Sequence, residues 1–241
     1  MILENALIII SIIMIILHSL FTIFKFRINF LLIYFSILPL FTWAVFRIMV
    51  TGHAPFSGVY ESMIFFTMLL NLKIIFFIND YSKKLNLVYF IPSLLILIIS
   101  LFLPYEVRKP DLLVPVLRSF IMYIHIPSYF IGIVSLTIAF ILSLIAINDP
   151  ELLPKVNNEL KIGFFFITIG LITGSFWAEL SWSKFWSWDV KEIWSLITWL
   201  IMINAIHHKN KLKIIFTIIA YAAMIFTYFG VSFFMKGLHA Y

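Results

Sequence analysis

Six of the seven tryptophans crowd into one short stretch: Trp177, Trp182, Trp186, Trp188, Trp194 and Trp199. An aromatic belt at a membrane boundary accounts for tryptophan there, but it predicts tryptophan at both boundaries and on most helices. Outside the stretch there is only Trp43. A large, flat, apolar ligand explains the concentration better. Each aromatic stack adds about 0.5–1.5 kcal/mol beyond area burial, so several indole faces can hold a planar ring without a covalent bond. Lys184 and Lys191 in the same stretch offer cations to carboxylates on such a ring. Asp189 and Glu192 suit the first turn of the helix that follows, where the backbone dipole favours acids. Residues 181–191 fit either an interfacial helix or an extended loop. Trp182 and Trp186 share a helical face, whereas Trp186 and Trp188 share a strand face.

The elements that carry these residues are dictated by composition. The chain has 241 residues, 63% hydrophobic and only 12% charged, far from the roughly 25% charged residues of a soluble domain. Its apolar residues come in blocks of about 20, the length needed to span about 30 Å of hydrocarbon. In lipid such blocks must be helical, because nothing else satisfies their backbone groups. The expected fold is therefore all-α: a polytopic membrane helix bundle of about eight transmembrane helices. The expected spans are roughly 4–24, 29–50, 59–79, 85–104, 120–147, 161–179, 192–208 and 212–235. No linker or repeat divides it, so residues 1–241 read as a single membrane domain. The first block opens at Met1 without a cationic lead or a small-residue cleavage site and reads as a retained helix.

The net charge of +6 does not signal nucleic acid, because the lysines and arginines sit at the ends of apolar blocks. The clusters Lys83–Lys84 and Lys209–Lys213 fall on one side and mark it as cytoplasmic. This puts both termini, 105–119 and the Trp-rich loop at 177–191 on the outer side. With no cysteine, the chain cannot do thiol chemistry itself, and any thiol must come from a partner.

Gly174-Ser-Phe-Trp-Ala-Glu and Trp186-Ser-Trp-Asp-Val-Lys-Glu-Ile-Trp-Ser-Leu-Ile-Thr-Trp199 resemble the tryptophan-rich WWD signature of haem-handling cytochrome c biogenesis proteins. The continuation resembles the CcsA (ResC) branch of System II. The likeness extends to Gly52-His-Ala-Pro-Phe-Ser-Gly-Val-Tyr-Glu-Ser62, to the helix around His125, and to Phe229-Gly-Val with Gly237-Leu-His-Ala-Tyr241. Two positions depart from the family pattern: Ser183 stands where Gly is usual, and Val190 where Pro is usual.

Six histidines occur: His18, His53, His125, His207, His208 and His239. Neutral imidazole suits the axial position of haem iron, and in the topology above His125 and His239 lie on the same outer side as the Trp-rich loop. The resemblance implies the same pair as ligands of an external haem. It also implies that His207, near the inner end of its span, helps bind haem within the membrane, opposite a ligand from a CcsB-like membrane partner. His18, deep in the first span, reads as structural, with a second ligand in this chain as the alternative. His53 reads as a loop residue or a carboxylate contact, and Glu61 as the tether of that loop.

The resemblance further implies haem b as the transported ligand, held by the segment 174–199 and presented to an apocytochrome c carrying Cys-x-x-Cys-His. The chain would then be a non-redox subunit of a cytochrome c synthase complex. Its place would be the bacterial cytoplasmic membrane with the Trp-rich loop periplasmic, or a thylakoid if plastid-encoded. Two rivals are a quinol-linked cytochrome b subunit, which usually holds its histidine pairs at mid-membrane depth, and a transporter of another aromatic solute.

Overall fold

The structure, a computed structural model, describes residues 2–24, 29–77, 83–111, 113 and 115–230. His239, Lys236, Lys25 and Arg27 lie outside the described residues. Among those described there is no strand. The elements are α1 (Ile2–Ile23), α2 (Asn29–Thr51), α3 (Val59–Phe77), α4 (Lys83–Phe102), the short α5 (Tyr105–Arg108), α6 (Met122–Ala146), α7 (Leu153–Trp182), α8 (Val190–His207) and α9 (Asn210–Ile225). A π-helical turn, Phe226–Gly230, continues α9. Among the described residues, five helical stretches are long and apolar enough to cross a membrane: Ile2–Ile23, Tyr34–Thr51, Met122–Ala146, Pro150–Trp182 and Asn210–Tyr228. The chain is thus the expected all-helical membrane bundle, and α3, α4 and α8 stand at the remaining expected spans.

The chain divides into two compact units, Met1–Leu117 and Arg118–Tyr241. In the first, α1 packs on α2 and α4, and α3 packs on the same two helices. In the second, α6 packs on α7 and α9, and α8 packs on the same two. Each unit is therefore a closed ring of four helices, the arrangement that short connections between antiparallel neighbours favour.

One end of the first unit is held by a buried ionic hub. Arg47, near the end of α2, is 1% exposed. Its guanidinium donates to Glu4 of α1 at 2.7 Å, to Glu61 of α3 at 2.8 Å and to the Arg108 carbonyl of α5 at 2.7 Å. Arg108 in turn donates to Asn5 and to the Leu101 carbonyl. Glu61 also accepts from the Ser57 amide at 3.1 Å and hydroxyl at 3.0 Å, which is the loop-tethering role its place at the start of α3 suggested. His53 is buried in that loop, with Nδ1 2.9 Å from the Ala54 carbonyl and Nε2 3.0 Å from that of Asp111. Both ring nitrogens are thus engaged by backbone, which makes His53 a loop residue. His18 is buried on α1, edge-on to Phe90 at 4.9 Å.

In the second unit α7 runs longer than the sequence suggested. The polar run Lys155 to Lys161 reads as a connection, but it is the first two turns of the helix. Its buried residues, Val156, Glu159, Leu160, Gly163 and Ile167, recur at helical spacing. Polarity on the outer face masked that stripe. Pro154 at the start fits the first turn, where a missing N–H costs nothing.

At this same end of the second unit, Lys213 at the start of α9 joins α7 to α8. Its ammonium donates to Asn157 of α7 at 2.6 Å and to the carbonyls of Ala205 and Ile206 at 2.8 and 3.0 Å. Carbonyls in the last turn of a helix have no partner within it, so Lys213 caps α8 from outside and ties it to α7. Lys213→Met keeps the stem but strands these acceptors, and should lower stability by about 2–3 kcal/mol. A thermal melt in detergent checks this. Lys211→Met, at an exposed neighbour, should leave the melt unchanged.

Candidate functional site

The residues that sequence marked on α6 and α7 meet over two glycines. On α6, His125 and Tyr129 are four residues apart and share a helical face. On α7, so do Gly170 and Gly174. The pairs are matched in space. A Cβ added at Gly174 would lie 2.7 Å from His125 Cε1, and one at Gly170 would lie 2.9 Å from Tyr129 Cδ2. Only glycine leaves room for these rings. His125 then reaches the Gly170 carbonyl through Nδ1 at 2.8 Å. A carbonyl can only accept, so Nδ1 carries the proton and the lone pair of the neutral ring is on Nε2. That is the tautomer a metal-binding imidazole needs when it binds through Nε2.

Trp177 lies beside this histidine. The two rings are nearly parallel, 5° apart in plane and 6.4 Å between centroids. Trp177 is 2% exposed and meets Trp182 edge-on at 6.2 Å. The buried indole N–H of Trp182 has no hydrogen-bond partner. At Ser183 the helix stops with a left-handed residue, φ 55°. This is the position where the related signature usually has Gly, and the geometry shows why: the left-handed region carries almost no penalty without a Cβ. The second departure, Val190, is the first helical residue of α8, where proline's fixed φ is favourable but not required. Both departures fall at helix ends.

Of residues 181–191, for which helix and loop were both open, Ser181 and Trp182 end α7, Val190 and Lys191 begin α8, and 183–189 between them form a loop. Phe185 packs on Phe176 at 5.7 Å, and Trp186 packs edge-on against Trp188 at 6.1 Å. Trp188, in a left-handed conformation (φ 60°), is 68% exposed. The loop is tied down at its far end. Asp189 caps α8 by accepting from the Lys191 amide at 3.0 Å, and Glu192 accepts from the Asp189 amide at 3.1 Å. This reciprocal capping box is strengthened by Ser187, whose amide and hydroxyl also bond Glu192, at 2.8 and 3.1 Å. The carboxylate of Asp189 is thus committed to backbone.

Lys184 is exposed in the loop, whereas Lys191 is partly buried in the first turn of α8. Burial pushes the Lys191 ammonium below the usual lysine range, and nearby Asp189 acts in the opposite direction. Trp194 and Trp199 point elsewhere. Trp194 packs on Phe226 at 4.4 Å, and Trp199 stacks on Phe164 at 5.0 Å while its N–H donates to Thr168 at 2.8 Å.

The structure therefore brings His125, Trp177 and Trp182 together and sets the Trp186–Trp188 pair in the adjoining loop. His207 is the last residue of α8, exposed, at the other end of the helix from this cluster. His208 beside it bonds the Asn204 carbonyl at 2.7 Å and packs on Phe216. The sequence reading missed Gly170, Tyr129 and Ser195. Tyr129 donates to Ser195 at 3.1 Å, and Ser195 donates to the Lys191 carbonyl at 2.6 Å. The matched four-residue spacings of Gly170–Gly174 and His125–Tyr129 were the available signal.

The chain is similar to known proteins. The family model for the cytochrome C assembly protein matches residues 56–239. The cytochrome c biogenesis protein CcsA of Welwitschia mirabilis is 30% identical over 240 residues, covering 78% of this chain and 78% of the relative. CcsA of Prochlorococcus marinus strain MIT 9515 is 28% identical over 243 residues, covering 82% of this chain and 78% of that one. Among solved structures, the cytochrome c haem lyase CcmF superposes with a TM-score of 0.74 at 15% identity. The alignment covers 95% of this chain but only 46% of the lyase, so that likeness speaks for the fold alone. With the family model spanning most of the sequence and a relative matched over most of both lengths, the chain belongs to the cytochrome c assembly protein family and is of the CcsA type.

Proposed function

We propose that this chain, whose family acts in cytochrome c maturation, binds b-type haem on the Trp-bearing end of its second unit and presents it for attachment to an apocytochrome c. The observation that carries the reading is the His125 imidazole, held by the Gly170 carbonyl with its lone pair on Nε2 and set parallel to Trp177. The residues fit the group on chemistry: a preset imidazole for iron, indole faces for the ring, and Lys184 and Lys191 for its carboxylates. His239, outside the described residues, is assigned the second axial position. Two axial imidazoles limit reaction of the iron with oxygen.

Haem is cargo here, and its vinyl groups take up the client's thiols. The chain, with no cysteine, supplies none. Its own contribution is to hold and orient the ring and leave one edge open to an incoming Cys-x-x-Cys-His segment. The lysines Lys155, Lys161, Lys209, Lys211 and Lys213 all lie toward the opposite end of the second unit. This supports an outward-facing Trp-rich loop, periplasmic in a bacterium. His207, exposed at that basic end, is assigned to an inner haem contact completed by a CcsB-like membrane partner. Residues 1–241 act as a single membrane domain with eight crossings, and the chain is the haem-holding subunit of a cytochrome c synthase complex.

The test is the absorption spectrum and pyridine haemochrome of protein purified with its partner. Wild type is expected to carry b-type haem, reduced or spectrally shifted in His125→Ala and His239→Ala and absent from the double variant. Unchanged haem in the double variant would overturn the assignment.

A further inference from the structure

From the hydrogen bonds at the junction of α6, α7 and α8 we infer that Tyr129 and Ser195 are positioning residues that hold the Trp-rich loop in register with His125. The inference rests on the haem-binding reading above and adds to it the device that couples ligand and platform. His125 and the tryptophans sit on different helices, so something must fix their relative height and angle. His125 belongs to α6, Trp177 and Trp182 to α7, and Trp186 and Trp188 to the loop anchored on α8.

Tyr129 lies one turn beyond His125 on the same face of α6. Its ring rests on Gly170, the residue whose carbonyl orients His125. Its hydroxyl crosses to α8, where Ser195 accepts at 3.1 Å. The Ser195 hydroxyl donates at 2.6 Å to the carbonyl of Lys191, in the first turn of α8, next to the capping box that ends the Trp-rich loop. The chain Tyr129 to Ser195 to Lys191 runs in one donor direction, so each bond polarises the next. A side chain that packs on α7 and bonds α8 from the helix bearing His125 leaves the three elements little freedom to slide.

The alternative is that the bond only stabilises the bundle. The two roles separate experimentally. Tyr129→Phe keeps the packing on Gly170 and deletes one hydrogen bond, and Ser195→Ala deletes its acceptor. Tyr221→Phe, at a half-buried tyrosine stacked on Phe140 at 4.2 Å in the same unit, is the control for losing a phenol hydroxyl elsewhere.

Haem affinity is measured by titrating the purified apoprotein, alongside the spectrum of the bound haem and the melting temperature of the haem-free protein. Tyr129→Phe and Ser195→Ala should each weaken haem binding about three- to tenfold, the size of one lost hydrogen bond, and shift the spectrum. The double variant should be no worse than either single one. Ser195→Thr, which keeps the hydroxyl, should restore binding, and Tyr221→Phe should leave it at the wild-type value. Wild-type affinity and spectrum in both Tyr129→Phe and Ser195→Ala would overturn the inference while leaving the haem site intact. So would a loss that merely follows the melting temperature and is shared by Tyr221→Phe. If wild type itself binds no haem, it is the underlying reading that fails.

Discussion

Replacing Arg47 by methionine is expected to destabilise the first unit by about 3–5 kcal/mol, the penalty for leaving buried charges without their partner. Glu4 and Glu61 both direct carboxylate oxygens at this guanidinium, and both are buried. Methionine fills similar space, so packing loss is small and the effect isolates the electrostatics. Arg47→Lys should be intermediate, because an ammonium keeps the charge but cannot present the planar fork that reaches Glu4, Glu61 and the Arg108 carbonyl together. The measurement is thermal unfolding in detergent. Adding Glu4→Gln and Glu61→Gln to Arg47→Met removes the stranded charges and should recover much of the loss. A melting temperature unchanged in Arg47→Met would mean that water reaches the hub and screens it.

That hub illustrates what a sequence conceals. Glu4, Arg47 and Glu61 could each be read as boundary charges facing water, and only Glu61 was expected to make a local bond, as the tether of its loop. Their meeting depends on three helices ending at one level, which no local pattern encodes. Helices were legible wherever apolar blocks had clear ends: α2 was expected at 29–50 and runs Asn29–Thr51. They were misjudged where a polar outer face overlay a buried stripe, as in the first two turns of α7. The second unit shows the same division. Trp177, Trp182, Trp186 and Trp188 announced themselves by number and proximity, and His125 by the side of the membrane expected for it. Trp194 and Trp199 belong to the same run but pack against neighbouring helices, a distinction that composition cannot draw. Glycines and one tyrosine that shape the site are common residues, and they acquire meaning only when α6 is laid against α7.

The second large effect is expected at Gly174. Alanine there places a methyl 2.7 Å from His125 Cε1 and 2.9 Å from Nδ1, inside contact distance, so the imidazole must move. It cannot do so cheaply, because Nδ1 is held by the Gly170 carbonyl and the ring lies along Trp177. Displacement breaks the bond that sets the tautomer and turns Nε2 away from its line. Gly174→Ala should therefore reduce haem retention at least about tenfold and alter the haem spectrum, while Gly58→Ala, with open space around it, should do neither. The decisive comparison is made with His125→Ala. Once the imidazole is gone the new methyl has room, so Gly174→Ala should cost the double variant no additional stability. If the two losses of stability simply add, the methyl acts on α7 alone, and Gly174 is not the seat of His125. If they do not, the glycine exists in the signature to admit this histidine, and the close approach of α6 to α7 is part of how the site is built.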